Sequence, residues 1–342
     1  MSQYYYNPFG SGSDINNNAM QMNFLRQQQA KKEKHEIRVI SFSMGCAIVA
    51  YLIIQTIAVQ FLNMLGWNDF YSQSTTFQYA FNILFVSFLS VLVPFGIVAI
   101  VNKKRYERSI VPSEKVSFAK GFCWVCFGMA GCVLANVVVS YIVAIIQQIV
   151  GHDLYSGLDI KPDSIFAIAL EFVGIAIIPA ICEELAMRAF SLQLLAKYGK
   201  GFGVFAVSLV FGLLHGNIVQ FIFAFLVGVI LGFVTVKTNN IAPAIFIHAF
   251  NNGMSAVQSA VTYFAGENAA NVVSVIVYVF WIAAGVLSGL YLLLKKEFAK
   301  TKEKSNSVLT TGQKFSAFLF PWMIVPFVEL IVITAINFTI KA

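Results

Sequence analysis

From Val39 onward, apolar runs of roughly twenty residues recur along the chain, separated by short polar or basic stretches. A helix needs about 20 residues to cross a hydrocarbon core about 30 Å thick, so each run reads as a membrane-spanning helix. Nine segments are predicted, at roughly 39–64, 78–102, 119–150, 164–197, 201–215, 218–236, 241–263, 269–294 and 315–338. The short alternating segments of a membrane β-barrel are missing. The expected fold is therefore all-α, a polytopic membrane helical bundle with about nine transmembrane helices. Residues 1–38, rich in Gln, Asn, Tyr and Ser and without apolar periodicity, read as a disordered cytoplasmic tail. The first apolar run begins too late for a cleavable signal peptide, so none is expected.

Basic residues sharpen the picture by fixing sides. The tail, the loop with Lys103, Lys104, Arg105 and Arg108, the Lys197 to Lys200 turn, Lys237 and the Lys295 to Lys304 loop all fall on one side, whereas Asp69, His152, Asp153, Asp159, Asp163 and Glu267 fall on the other. Lys161 is the exception. By the positive-inside rule the N-terminus is expected in the cytoplasm and the C-terminus outside.

Composition agrees with a bilayer environment: 58% of residues are hydrophobic and 11% charged, with a mean hydropathy of +0.75, far from the soluble balance of about a quarter charged. The net charge of +7 comes largely from the basic flanks and matches anionic headgroups; no motif supports nucleic-acid binding. Cys46, Cys123, Cys126, Cys132 and Cys182 lie in or beside apolar stretches and read as small packing residues. The Cys123/Cys126 pair lacks a second ligand pair nearby.

The candidate chemistry lies in acids at membrane depth, where an ionisable side chain is expensive. Glu171, Glu183, Glu184 and Glu329 qualify. Glu184 and Arg188 are four apart and share a helix face, whereas Glu183 points about 100° away and is free to react. Pro179 is expected to kink or divide this helix. Phe211 and His215 share a face, as do His248 and Asn252. A carboxyl in an apolar site suits a proton-accepting role, and neutral imidazole and carboxamide donors suit a developing oxyanion. The bland alternative is that each polar group staples helices together; it is less economical for the whole set than for any one member. Glu171 and Glu329 read as packing or rim groups.

This set resembles the CAAX-processing and bacteriocin-processing (CPBP, or Abi) intramembrane proteases, in three ordered parts: Glu183-Glu184 with Arg188, Phe211 with His215, and His248 with Asn252. The likeness spans about 165–260, with Ala189 where the family usually carries Gly. It implies a catalytic core at 164–263, accessory helices at 39–163 and C-terminal helices at 264–342. It further implies that Glu183 and His215 activate water, that His248 and Asn252 hold the oxyanion, and that Glu184, Arg188 and Phe211 support them. No cofactor is favoured; a divalent metal such as zinc would use Glu183, His215 and His248. The implied partners are a peptide or protein substrate at the membrane and the bilayer itself, and the implied location is a bacterial plasma membrane.

Two rivals stand beside an intramembrane endopeptidase: a catalytically silent scaffold or regulator of the same family, and a proton-coupled transporter. One difficulty is visible in the sequence. The predicted boundaries put His215 at the outer end of a short fifth span, away from Glu183.

Overall fold

The computed structural model describes residues 12–151, 153–154, 161–299 and 305–339. The start of the predicted tail, His152, Asp159, Lys300, Lys302 and Lys304 lie outside the described residues. Ten principal helices follow one another: α1 (Gly12–Leu65), α2 (Thr75–Val101), α3 (Phe118–Val150), α4 (Ile165–Ala196), α5 (Lys200–Leu213), α6 (Ile218–Thr238), α7 (Ala242–Ala265), α8 (Glu267–Leu294), α9 (Thr311–Phe318) and α10 (Pro321–Thr339). Among the described residues there is no β-strand, only a single bridge between Ser113 and Asn240. The all-α class holds.

A helix lies at each predicted position, but the count of about nine spans is not confirmed. Among the described residues six helices are long and apolar enough to cross a membrane, or seven if α9 and α10, bent by 74°, form one span. The 14 residues of α5 reach only ~21 Å. Helix α7 has the length, but His248, Asn251, Asn252 and Gln258 lower its hydropathy. Large apolar side chains such as Ile57, Phe88, Ile145, Val279 and Leu287 face outward, as a protein solvated by lipid requires.

The expected disordered tail is corrected for residues 12–38, which continue α1 as helix. Lys, Glu, Gln and Ala dominate 27–34 and favour helix. Its later part is also docked. Ile37 is fully buried, Glu33 accepts from the Ser307 hydroxyl, and Glu36 pairs with Lys197 at 3.3 Å and accepts from Tyr198. Burial, reinforced by the Glu36 contact, raises the Tyr198 phenol above its ordinary range.

Two apolar cores fill the bundle. One joins α1, α2, the second half of α4, α5, one face of α6, α9 and α10; the other joins α3, the rest of α6, α7 and α8. Close approach builds the second: a Cβ on Gly285 of α8 would stand 2.2 Å from the Ala130 Cβ of α3, so only glycine fits. Glu184, Arg188 and His248 meet where the two cores adjoin, whereas Glu171 and Glu329 lie apart.

Helix α4 reaches that seam with an uneven winding. Its turns Phe172–Ile177 and Leu185–Ser191 are π-helical, on either side of an α-helical piece, Ile178–Glu184, whose first turn contains Pro179. The disturbance expected at Pro179 is thus a locally widened helix. Side chains follow the wider register: Ser191 Oγ donates to Ala186 O at 2.9 Å and Gln193 Nε2 to Arg188 O at 3.0 Å, each five residues back. Such π-turns recur at functional sites because they re-aim side chains on one helix.

Candidate active site

Glu184 is fully buried and sits at the centre of the polar cluster. Its Oε1 lies 2.9 Å from Arg188 Nη1, the contact implied by the i,i+4 spacing, and 2.8 Å from Nδ1 of His248 on α7. Arg188, equally buried, also donates from Nη2 to the Gly228 carbonyl of α6 at 3.3 Å and lies over the Phe211 ring, 4.8 Å from its centroid. The absence of a side chain on Gly228 lets α6 approach, since a Cβ there would meet Ser208 at 3.1 Å. A buried guanidinium thus receives a carboxylate, a carbonyl and an aromatic face, which together offset the loss of water.

His248 is held by that carboxylate. A carboxylate accepts, so Nδ1 carries the proton, and Nε2 is left 3.7 Å from Glu183 Oε2. The two glutamates differ sharply in access, with 21% of the Glu183 side chain exposed against none of Glu184. One carboxylate is partly open; the other is enclosed between Arg188 and His248.

The Phe211 ring links both histidines. It meets His215 edge-on at 5.1 Å and His248 at 5.9 Å between ring centroids. His215 Nδ1 stands 2.9 Å from the Phe211 carbonyl, which can only accept, so Nδ1 donates and Nε2 keeps its lone pair. The difficulty over its depth is removed by the brevity of α5. Glu183 precedes Lys197 by 14 residues and His215 follows Lys200 by 15, so on neighbouring helices joined by a tight turn both lie ~21 Å from that end. His215 makes no hydrogen bond to Glu183.

Asn252 lies one turn beyond His248, yet its amide donates to the Ile175 carbonyl of α4 at 3.1 Å. Pro179, four residues after Ile175, has no N–H to offer that oxygen. The other amide hydrogen of Asn252 is not used by this bond. The remaining intramembrane acids separate clearly: Glu171 is buried and faces Ser259, while Glu329 is exposed on α10.

Tyr51 and Asn251 belong to the neighbourhood but were not singled out from sequence. Buried Tyr51 on α1 donates to the Leu214 carbonyl at 2.7 Å, beside His215, within electrostatic reach of Glu183. Nothing in its sequence surroundings marks a tyrosine so far upstream. Asn251 had a visible signal, its adjacency to Asn252.

Among the described residues, no group of three or more His, Cys, Asp and Glu side chains is disposed to hold a metal ion. The trio of Glu183, His215 and His248 that a divalent ion would need is not assembled as a ligand set. Cys123 and Cys126 are free and lie on α3, away from any such cluster.

An all-helical integral membrane protein with a carboxylate-histidine cluster at the junction of two cores is the class these observations define. Residues 165–254, about a quarter of the chain, match the family model described as type II CAAX prenyl endopeptidase Rce1-like. The matched stretch runs from the start of α4 to the middle of α7 and contains Glu183, His215, His248 and Asn252. Comparison with curated proteins finds no match, and neither does comparison with solved structures.

Proposed function

We propose that the protein is an intramembrane endopeptidase that hydrolyses peptide bonds of membrane-associated proteins or peptides. The observation that carries this reading is the position of His248, fixed through Nδ1 by buried Glu184 with its Nε2 3.7 Å from the accessible carboxylate of Glu183. A reacting carbonyl and a water then have a base and donors at one point.

In the proposed mechanism, Glu183, with the lone pair on Nε2 of His215, accepts a proton as water attacks the carbonyl carbon. The carbonyl oxygen becomes an oxyanion and receives hydrogen bonds from His248 Nε2–H and the second N–H of Asn252. Because Nδ1 already donates to Glu184, His248 serves in this way when its ring carries both protons. The proton held by Glu183 passes to the leaving amine as the C–N bond breaks, giving a carboxylic acid and a free amine. Glu184, Arg188 and Phe211 position the imidazoles throughout. The basic residues Arg108, Lys115, Lys120, Lys197, Lys200 and Lys237 line one cavity of about 740 Å³, which supports a common side for these loops; by the positive-inside rule that side is cytoplasmic.

The test is to express wild type, Glu183→Ala and His248→Ala in membranes with candidate substrates and to sequence the new termini by mass spectrometry. Fragments made only by the wild type support the reading. Identical fragment profiles in all three, with the wild-type phenotype preserved in the variants, support a silent scaffold instead.

A further inference from the structure

We infer that the cavity between α3, α4, α6, α7 and α8 is the subsite that receives a bulky, uncharged side chain of the peptide substrate, next to the bond that is cut. This rests on the peptidase reading above and adds to it a substrate class. The cavity has a volume of about 500 Å³, within the range of sites that enclose an organic group. Asn252 forms part of its wall, which ties it to one of the two proposed oxyanion donors, while Glu183, His215 and His248 lie outside its lining.

Its chemistry narrows the occupant. Phe172, Phe250 and Trp281 give it broad aromatic surfaces, and no Asp, Glu, Lys or Arg lines it. An ionised group would enter without a counter-charge and lose its hydration. A lipid tail would fit the aromatic surfaces, yet it would leave the carboxamides of Asn136, Asn251 and Gln258 facing hydrocarbon, where each unsatisfied polar group is unfavourable. A peptide residue meets both demands, with an apolar side chain for the aromatics and backbone N–H and C=O groups for the carboxamides.

Asn251 supplies an independent sign. It is 7% exposed, its Nδ2 donates to Asn252 Oδ1 at 3.3 Å, and its Oδ1 has no hydrogen-bond partner. A buried carbonyl oxygen with both lone pairs unused calls for a donor. That oxygen is enclosed as it stands, and the inference assigns to it the substrate's backbone N–H, met when the Asn251 side chain turns toward the cavity that it lines. Through the Asn251–Asn252 bond, seating of the substrate would also bear on the orientation of Asn252.

The test uses the full chain in lipid nanodiscs and an uncharged peptide carrying one benzoylphenylalanine, cross-linked by light and mapped by mass spectrometry. Labels are expected on 249–258 and 273–281. The unlabelled peptide should displace the probe, the same peptide with Asp at that position should do so about tenfold less well, and oleate should not. Asn251→Leu, which keeps the volume and removes the amide, should weaken probe binding about fivefold. Labels elsewhere, no labelling, or equal displacement by oleate or the Asp peptide would overturn the inference. The two readings fail separately: no cleavage with labelling as expected removes the peptidase and keeps a peptide site, whereas cleavage with labels elsewhere removes the subsite alone.

Discussion

The side-chain amide of Asn252 donates to the Ile175 carbonyl at 3.1 Å, within the π-helical turn of α4 that precedes Pro179. The residue proposed to stabilise the oxyanion therefore has a structural bond as well. Asn252→Ala is expected to destabilise the protein by ~1 kcal/mol, because a hydrogen bond to a half-buried carbonyl is lost, and to lower kcat by ~10²–10³-fold, because a donor is lost. Adding Pro179→Ala restores an N–H within reach of Ile175. The double variant should regain thermal stability in detergent and remain inactive; recovery of both would assign Asn252 a structural role only.

Arg188 and Glu184 should behave as a unit. Truncating one member of a buried pair leaves the other charge unpaired, at about 3–5 kcal/mol, whereas replacing both with apolar residues is often tolerated. Unfolding followed by circular dichroism is expected to rank Arg188→Met as the least stable and Glu184→Leu/Arg188→Met as more stable than that single variant. Destabilisation of the double variant by the sum of the two single changes would show that the pair is not coupled.

Tyr51→Phe removes one hydroxyl from the turn that carries His215. A lost neutral hydrogen bond corresponds to ~1 kcal/mol, so kcat is expected to fall about fivefold with KM unchanged. A fall in thermal stability with kcat intact would limit Tyr51 to packing.

Gly285→Ala tests the second core, since the new methyl group would stand 2.2 Å from Ala130 Cβ. Overpacking of this kind costs typically ~1–3 kcal/mol. The variant is expected to melt earlier in detergent than a control, Gly312→Ala, where no atom lies within 4 Å of the added carbon.

Much of this organisation is written locally in the chain. The i,i+4 spacing of Glu184 and Arg188 and of Phe211 and His215 gives shared faces directly, and apolar length marks the long helices. Spacing within one helix cannot report contacts between helices, so the bond from Asn252 to Ile175 and that from Tyr51 to Leu214 were invisible. Boundaries misled at two places. The polar composition before Arg38 concealed a docked helix because its partners, Ser307, Lys197 and Tyr198, come much later. The short α5 read as a full span, which separated His215 from Glu183 until the lengths of α4 and α5 were compared from their common turn.

The 54 residues of α1 form one continuous rod ~80 Å long, about twice the thickness of a bilayer with its headgroups. Its exposed early turns and Tyr51 lie on the same stiff body, ~36 Å apart between Gln27 and Tyr51. One unbroken helix therefore carries the contacts of Glu33 and Glu36 at one level and the bond to the turn beside His215 at another, so the two levels share a single fixed spacing.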